Sequence, residues 1–344
     1  MTEPDTSPTH RGSRVRRIGL AVVLVLFAVE LTLGWPSLTE AFGHLRAPHP
    51  GWLAAAVAAE LMAMGAYARM QRSLLLSAGV RVPLYRHVAL AYAAHSLSVT
   101  LPAGPAFSTR FNYQQMRRFG ASPAIATWCI TLSAILSAAA LAVVTAAGAL
   151  ASHGRPQWYS LAGLAAVAVL IGVGVRRVTH RPQSLEPVIR RALALVNRLR
   201  RRPADRGLER VHAFVDQLGA ARLGPRHGTA AAAFAVLNWV ADAVCLWLCF
   251  HAISDASISA TQVLLAYCAG MAAGTITIIP GGLGIIDSAL ILGLVTGGVD
   301  VSTAIATVVL YRLISFVFII GAGWITWLVI RHRHREHMTA ASPG

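Results

Sequence analysis

Long apolar runs alternate along this chain with short segments that are rich in arginine. A helix needs about 20 apolar residues to cross the hydrocarbon core of a bilayer. The runs that approach or exceed this length cover residues 17–36, 51–69, 123–150, 157–175, 228–251 and 303–330. The pattern therefore predicts an all-α polytopic membrane protein with about six spanning helices.

Two further apolar regions, 87–119 and 258–297, are interrupted near their middles by "LPAGPAFS" and "IPGGLGII". Proline and glycine end or break helices. Within hydrocarbon, irregular backbone is tolerated only where it is buried in protein or lines a wet cavity. We therefore predict that each region forms a re-entrant helical hairpin whose break lies inside the membrane.

The charge distribution orients these elements. The formal net charge is +16 and all 30 basic residues are arginine. They cluster between apolar runs, as in cytoplasmic loops, which argues against nucleic acid as a partner. This predicts a multi-pass membrane protein with a cytoplasmic basic N-terminus over 1–16 and a cytoplasmic tail over 331–344. The bias towards arginine and alanine suggests a GC-rich bacterial genome, so we expect the membrane to be the bacterial inner membrane. The two hairpins are then expected to enter from opposite faces.

A basic connector over 176–226 is also expected in the cytoplasm. It either lies on the inner leaflet and binds anionic lipid, or forms a solvated helical linker.

The membrane domain, residues 17–330, contains a weak internal repeat. A shift of 178 residues aligns seven pairs: Pro102 with Pro280, Gly104 with Gly282, Gly120 with Gly298, Glu60 with Asn238, Ala126 with Ala304, Leu132 with Leu310 and Ser137 with Ser315. Together with the opposite orientations, this predicts inverted repeats over about 51–150 and 228–330. Inverted repeats with broken helices at the midplane are a transporter architecture.

The breaks are the first candidate site. The start of a half-helix presents free N–H groups and a positive dipole end, which bind phosphate or carboxylate. Glycine in turn allows the backbone to approach a ligand closely. The residues of the breaks that we expect along a headgroup path are Pro102, Gly104, Pro280, Gly281, Gly282 and Gly284.

Two charged residues follow these breaks at nearly equivalent places, Arg110 in the first hairpin and Asp287 in the second. Charge inside a membrane is costly and marks a functional site by default. The two side chains would either pair with each other or receive the phosphate and amine of a lipid headgroup. A purely structural ion pair is the alternative.

Other polar residues lie within the spans. Arg312, beside Tyr311, is too deep for its side chain to reach the interface easily, so it is expected to face the interior of the bundle. Its expected charge partners are Glu60 and Asp242, with Asn238 as a further polar neighbour.

No catalytic set is visible. The chain contains no HExxH, GxSxG or Walker A motif, and its four cysteines lie in apolar segments without metal-ligand spacing. We expect neither enzymatic activity nor a cofactor or metal.

The segments "LPAGPAFSTRFNYQQMRRFGAS" and "IIPGGLGIIDSALILGLVTGGVDVSTAIATVVLYRL" resemble the membrane domain of the lysylphosphatidylglycerol synthase/flippase family. The family's second motif, approximately Pro-Gly-Gly-Leu-Gly, two residues and an acid, corresponds to Pro280 to Gly284 and Asp287, where glutamate is more usual. Ile286 stands where a basic residue often precedes the acid. The family's first motif and its Tyr-Arg pair correspond to Pro102, Gly104, Arg110, Tyr311 and Arg312.

The resemblance implies a lipid-translocating membrane domain in which two re-entrant hairpins form the headgroup path. Bifunctional members continue into a soluble aminoacyltransferase domain. This chain ends at Gly344, shortly after its last span, so we expect a stand-alone membrane domain without synthase activity.

We therefore expect the protein to flip a polar lipid, anionic or aminoacylated, between leaflets. Candidate partners are an anionic phospholipid or a polyprenyl-phosphate lipid. Two other functions stay open: secondary transport of a small anion, and a non-transporting role that recruits a lipid-modifying enzyme through residues 176–226. Homo-oligomer formation also stays open.

Overall fold

The computed structural model describes residues 48–101, 103–152, 223–274, 280–282 and 284–340, and no strand occurs in these ranges. The nine α-helices described are α1 Pro50–Ser77, α2 Leu84–Thr100, α3 Gly104–Arg118, α4 Pro123–Ser152, α5 Pro225–Ile253, α6 Ala260–Gly274, α7 Ile285–Thr296, α8 Val301–Arg312 and α9 Ile319–Ala340. A 3₁₀ turn over Pro280–Gly282 precedes α7, and a π-helical segment over Leu313–Phe318 joins α8 to α9.

Four stretches of helix are long and apolar enough to cross a membrane: Pro50–Ser77, Pro123–Ala151, Pro225–Ile253 and Val301–His332. They coincide with four of the six spans that hydropathy predicts. The other two, 17–36 and 157–175, lie outside the described residues, as do the basic N-terminus and most of the connector 176–226. An all-helical membrane protein is therefore confirmed.

Both interrupted regions consist of a helix, a break and a second helix. The helices that flank the breaks have 17 and 15 residues in the first region and 15 and 12 in the second. At 1.5 Å per residue each is shorter than the ~30 Å hydrocarbon core. Within each region the two helices pack against one another. None of the four is long enough to span a bilayer alone.

The order of helices repeats along the chain. With the shift of 178 residues, α1 to α4 begin within three residues of the starts of α5 to α8. The glycines that precede α4 and α8 have matching left-handed backbones, with φ 91° at Gly120 and 94° at Gly298. Ala126 and Ala304, which the shift also pairs, are both fully buried. The two halves thus use equivalent positions for equivalent structural purposes.

The two breaks share one backbone feature. Ala103 has φ 56° and Gly281, its counterpart under the same shift, has φ 70°. Only glycine adopts this left-handed region freely. The next residue in the first break, Gly104, lies directly against the carbonyl of Ser98 and leaves no room for a side chain. Each break therefore turns the chain sharply before the second helix begins.

Helices α1 and α5 pack against each other along much of their length, and the core lies around this contact. Trp128 lies at the centre of an apolar cluster in the first half, and Tyr267 lies within a second cluster in the other half. Helix α9 packs on α2, where Ser96 Oγ donates a hydrogen bond of 3.1 Å to the Ile320 carbonyl. This arrangement leaves a polar space between the two halves, next to the second break.

Candidate functional site

A cavity of about 370 Å³ lies between the two halves. Its wall contains residues from each of the helices α1 to α8, from the second break and from the π-helical segment. This volume lies within the range of small-ligand sites, which are concave and have a few polar groups placed among apolar ones. Because every one of these elements contributes, a ligand in the cavity would contact both repeats.

Six of the residues that the sequence singles out share this wall: Glu60, Asn238, Asp242, Gly281, Tyr311 and Arg312. They come from α1, α5, the second break and α8, which are far apart in the chain. The fold therefore brings Glu60, Asp242 and Arg312 into one cavity wall.

Asp242 is the most extensively hydrogen-bonded of the acids that line the cavity. Its Oδ2 accepts a hydrogen bond of 2.7 Å from the Tyr267 hydroxyl, and its Oδ1 accepts one of 2.8 Å from the Tyr311 hydroxyl. Both tyrosines are buried. Since a buried carboxylate is tolerated only when its oxygens have partners, these two hydroxyls explain how Asp242 can lie within a spanning helix. They also tie α5 to α6 and α8.

Glu60 lies on α1 and lines the same cavity as Asp242, and the two carboxyl groups are close enough to interact electrostatically. Its side chain is only 5% exposed. One oxygen, Oε2, is buried and has no hydrogen-bond partner among the described residues. Glu60 therefore presents an unused acceptor to the cavity that it lines.

Arg312 pairs with Asp287 rather than with Glu60 or Asp242. Its Nε donates to Asp287 Oδ1, while the other oxygen, Oδ2, accepts a 2.9 Å hydrogen bond from the Gly284 N–H. Asp287 thus satisfies a free N–H at the start of α7, where a negative charge is favourable, and also orients the guanidinium. Each carboxylate oxygen thus accepts one hydrogen bond within the protein, and this arrangement positions Arg312 at the cavity.

One nitrogen of this arginine, Nη2, remains buried without a hydrogen-bond partner in the described part of the chain. The guanidinium also lies 5.8 Å from the centroid of the Phe316 ring, within cation–π range. Phe316 belongs to the π-helical segment that begins directly after Arg312, and such segments are frequent at functional sites. The cavity therefore contains a cationic N–H that lacks an acceptor.

Arg110 lies elsewhere. It is exposed and lines a separate groove of about 640 Å³ between α3 and α4. The polar residues beside it are Thr109, Tyr113, Thr127 and Thr131. The alternative that Arg110 pairs with Asp287 is not realised, because Asp287 is bound to Arg312. No acid forms an ion pair with Arg110 within the ranges that the structure covers.

The remaining residues of the breaks have structural roles in shaping the backbone. Gly284 precedes α7 with φ 79° and donates to Asp287. Gly104 and Gly282 are buried and lie outside the cavity wall. Pro280 opens the 3₁₀ turn, and Pro102 lies outside the described residues.

Several polar residues of the cavity were not among the site residues predicted from the sequence. Asn112 is 7% exposed, lines the wall and has an Oδ1 without a partner among the described residues. His95 also lines the wall. Ser137 and Ser315, which the repeat pairs, both face the cavity. A signal was present, because polar residues that recur at the repeat spacing within apolar helices are candidates for a shared interior surface.

These features define a class of protein: an all-helical membrane protein with a polar cavity between two repeated halves. The family model described as "Lysylphosphatidylglycerol synthase TM region" matches residues 16–323, and the chain belongs to this family. The resemblance seen in the two break motifs is thereby confirmed. No curated protein matches the chain. Membership gives the protein a membrane-lipid-related role and associates it with membrane lipids.

Proposed function

We propose that the protein flips a polar lipid, anionic or aminoacylated, between the leaflets of the bacterial inner membrane. The observation that carries the proposal is the buried Nη2 of Arg312, a cationic donor without an acceptor among the described residues, in a cavity built by both repeats. A buried donor without an acceptor is costly. A phosphate oxygen of a lipid headgroup would supply the acceptor that Asp287 does not provide.

The paired short helices support a transport path that opens alternately to the two sides of the membrane. In this proposal each pair is re-entrant, because its helices are too short to cross alone, and the arginine distribution makes the pairs enter from opposite faces with both termini cytoplasmic. The tips would then meet near the midplane, where Gly281 lines the cavity. Sites at the interface of inverted repeats are typical of secondary transporters.

The headgroup contacts follow from the unused atoms. Arg312 would bind the phosphate, since guanidinium forms strong, directional hydrogen bonds with phosphate oxygens. Asp287 would keep the guanidinium oriented. Glu60 Oε2 and Asn112 Oδ1 would accept hydrogen bonds from hydroxyl or ammonium groups of the headgroup. The acyl chains would stay in the bilayer, so the protein needs to accommodate only the headgroup.

Arg110 would act earlier on the path. Its groove between α3 and α4 is open, and an exposed arginine in such a groove can attract a phosphate from the surrounding lipid. We therefore propose the groove as the place where a headgroup is collected and the central cavity as the place where it crosses. The proposal contains no chemical step on the lipid.

A small soluble anion is the second candidate. A cavity of about 370 Å³ with one unsatisfied arginine nitrogen also suits inorganic phosphate or a small carboxylate. The two candidates differ in whether the acyl chains of a lipid have access to the path.

The test uses proteoliposomes that contain fluorescent phosphatidylglycerol and a membrane-impermeant quencher added outside. Wild-type protein should expose the protected inner-leaflet signal, and Arg312→Gln should slow this by about ten- to a hundredfold, the equivalent of losing a charged hydrogen bond of roughly 1.5–3 kcal/mol. Arg110→Gln should slow it less. Arg86→Gln, an exposed arginine outside both sites, is the matched control.

Folding of each variant is checked by size-exclusion chromatography. Movement of inorganic phosphate without movement of any lipid would favour the small-anion transporter. Lipid movement that survives Arg312→Gln unchanged would contradict the proposed site.

A further inference from the structure

The cavity contains more acid than base. Glu60 and Asp242 line it and Asp287 adjoins it, whereas Arg312 is the one arginine in the described wall. That arginine is already bonded to Asp287. The Glu60–Asp242 pair is therefore left without a fixed counter-ion of its own.

Two acids in one buried wall are suited to hold a proton. A carboxylate can only accept hydrogen bonds, so neighbouring carboxyl groups can bond to each other only if one is protonated. Two like charges so close also disfavour each other's ionisation. Asp242 already accepts hydrogen bonds from two tyrosine hydroxyls, which stabilise its ionised form. Glu60 is thus the member placed to donate.

An independent feature of the wall points the same way. Asn112, on α3 and more than nine-tenths buried, presents an Oδ1 without a partner among the residues described, as does Glu60 with Oε2. Both oxygens are open to a hydrogen-bond donor, such as water or the proton of a carboxyl group.

The titratable and charged groups around the pair come from six helices. They are Tyr67 on α1, Tyr92 and His95 on α2, Cys245 and Cys249 on α5, Tyr267 on α6, Asp287 on α7, and Tyr311 and Arg312 on α8. The tyrosines and cysteines are weak acids that stay neutral in the physiological range when unperturbed. Among these groups, His95 is the one whose unperturbed side chain titrates near neutral pH, so it is the alternative place for a proton.

We propose that Glu60 and Asp242 form a proton-binding site and that the protein carries a proton together with each anionic lipid headgroup. This inference rests on the proposed function and adds its energy source. Arg312 lines the same cavity as the pair, so an arriving phosphate that neutralises it would strengthen proton binding at the pair. By reciprocity, a bound proton strengthens headgroup binding by the same factor. The proton enters from one side and leaves on the other with the headgroup.

The transport test imposes a gradient of one pH unit across the proteoliposomes. If one proton accompanies one lipid, fluorescent phosphatidylglycerol should accumulate about tenfold in the leaflet on the alkaline side, and an internal pH dye should report proton movement. Protein-free vesicles give the background. Glu60→Gln should abolish the accumulation, Glu60→Asp should retain it, and Asp255→Asn, an exposed acid in a loop, is the matched control.

A second readout does not depend on transport. Infrared spectra of the reconstituted protein should show the C=O band of a protonated carboxylic acid, shifted by exchange into D₂O. Glu60→Gln should remove the band and Asp255→Asn should leave it. This readout separates the two proposals: lipid movement absent for every lipid tested, with the band present, would overturn the flippase and still support the proton site.

Three results would overturn the inference. The first is a wild-type protein whose carboxylic acid band is absent. The second is lipid movement that reaches an equal distribution despite the gradient. The third is loss of accumulation in His95→Gln together with full accumulation in Glu60→Gln, which would place the proton on the histidine.

Discussion

The two helix breaks are alike in backbone and different in chemistry. Both turn the chain through a left-handed residue, Ala103 in the first and Gly281 in the second. The second then adds Asp287, which caps α7 and pairs with Arg312. The positions that correspond under the shift of 178 residues are Thr109 and Ala134, so the first half has no such ion pair. The repeat preserves the bend, and only the second break adds an ion pair next to the cavity.

This difference assigns separate tasks to the halves. The first hairpin places Arg110 at an open groove, where a charge meets its ligand from outside. The second holds Arg312 at the cavity through the Asp287 carboxylate, whose other oxygen caps α7. An exposed arginine exchanges partners easily, while a positioned one gives a defined binding geometry. The comparison predicts that substitutions at equivalent positions have unequal effects.

The largest effect is expected at Asp287. Asp287→Asn leaves the Arg312 guanidinium without its counter-ion, and breaking a largely buried pair costs about 3 kcal/mol. Thr109→Val, at the equivalent position in the first half, should change the free energy of unfolding by less than about 0.5 kcal/mol because Thr109 is exposed. Thermal unfolding in detergent, followed by tryptophan fluorescence, measures both.

A double variant sharpens this result. Adding Arg312→Gln to Asp287→Asn removes the orphaned charge and should recover part of the lost stability, since the two substitutions are coupled. Additive losses would mean that Asp287 acts only as the cap of α7, and the ion pair would then contribute nothing to stability.

A smaller effect is expected for the difference in stability between Gly281→Ala and Gly298→Ala, which separates close packing from backbone strain. Gly281→Ala places a methyl group against the Phe316 ring at a residue with φ 70°. Gly298→Ala has the same kind of strained backbone, φ 94°, with nothing within 4 Å of the new carbon. Strain alone costs about 1–2 kcal/mol, and overpacking adds roughly 1–3 kcal/mol.

Gly281→Ala should therefore unfold at a clearly lower temperature than Gly298→Ala. Equal losses of stability in the two variants would show that Phe316 moves aside without cost. The close contact between the second break and the π-helical segment would then not contribute to stability.

Much of the fold follows from local physics. The length of apolar runs predicts four of the observed spans, and proline and glycine predict both breaks, because these signals depend only on residues near in sequence. The repeat extends that reasoning, since a shift that aligns glycines also aligns the helix starts. Some polar residues of the cavity could also be predicted, because they lie within apolar runs of the sequence.

Partner choice was not predictable in this way. Arg110 and Asp287 lie at similar distances beyond their breaks, yet under the repeat Arg110 corresponds to Ser288 and not to Asp287. One residue rotates a side chain by about 100° around a helix. Arg110 and Ser288 are both exposed, while Asp287 is half-buried and faces α8. The rotation of a helix about its own axis is set by tertiary packing, and no local pattern reports it.

The smallest effect tests whether the first break would benefit from the residue found in the second. Ala103 has φ 56° and ψ 31°, a left-handed conformation that costs a non-glycine residue about 1–2 kcal/mol. Ala103→Gly removes this strain but gives the unfolded chain more conformational freedom, which lowers the free energy of unfolding by roughly 0.5–1 kcal/mol. We expect a net gain of about 0.5 kcal/mol, seen as a small rise in unfolding temperature. Gly104→Ala, one residue on, should instead be strongly destabilising, because the added carbon would meet the Ser98 carbonyl. A loss of stability in Ala103→Gly would mean that the alanine methyl group contributes packing that outweighs its strained backbone, and the two breaks would then be held by different forces despite their common shape.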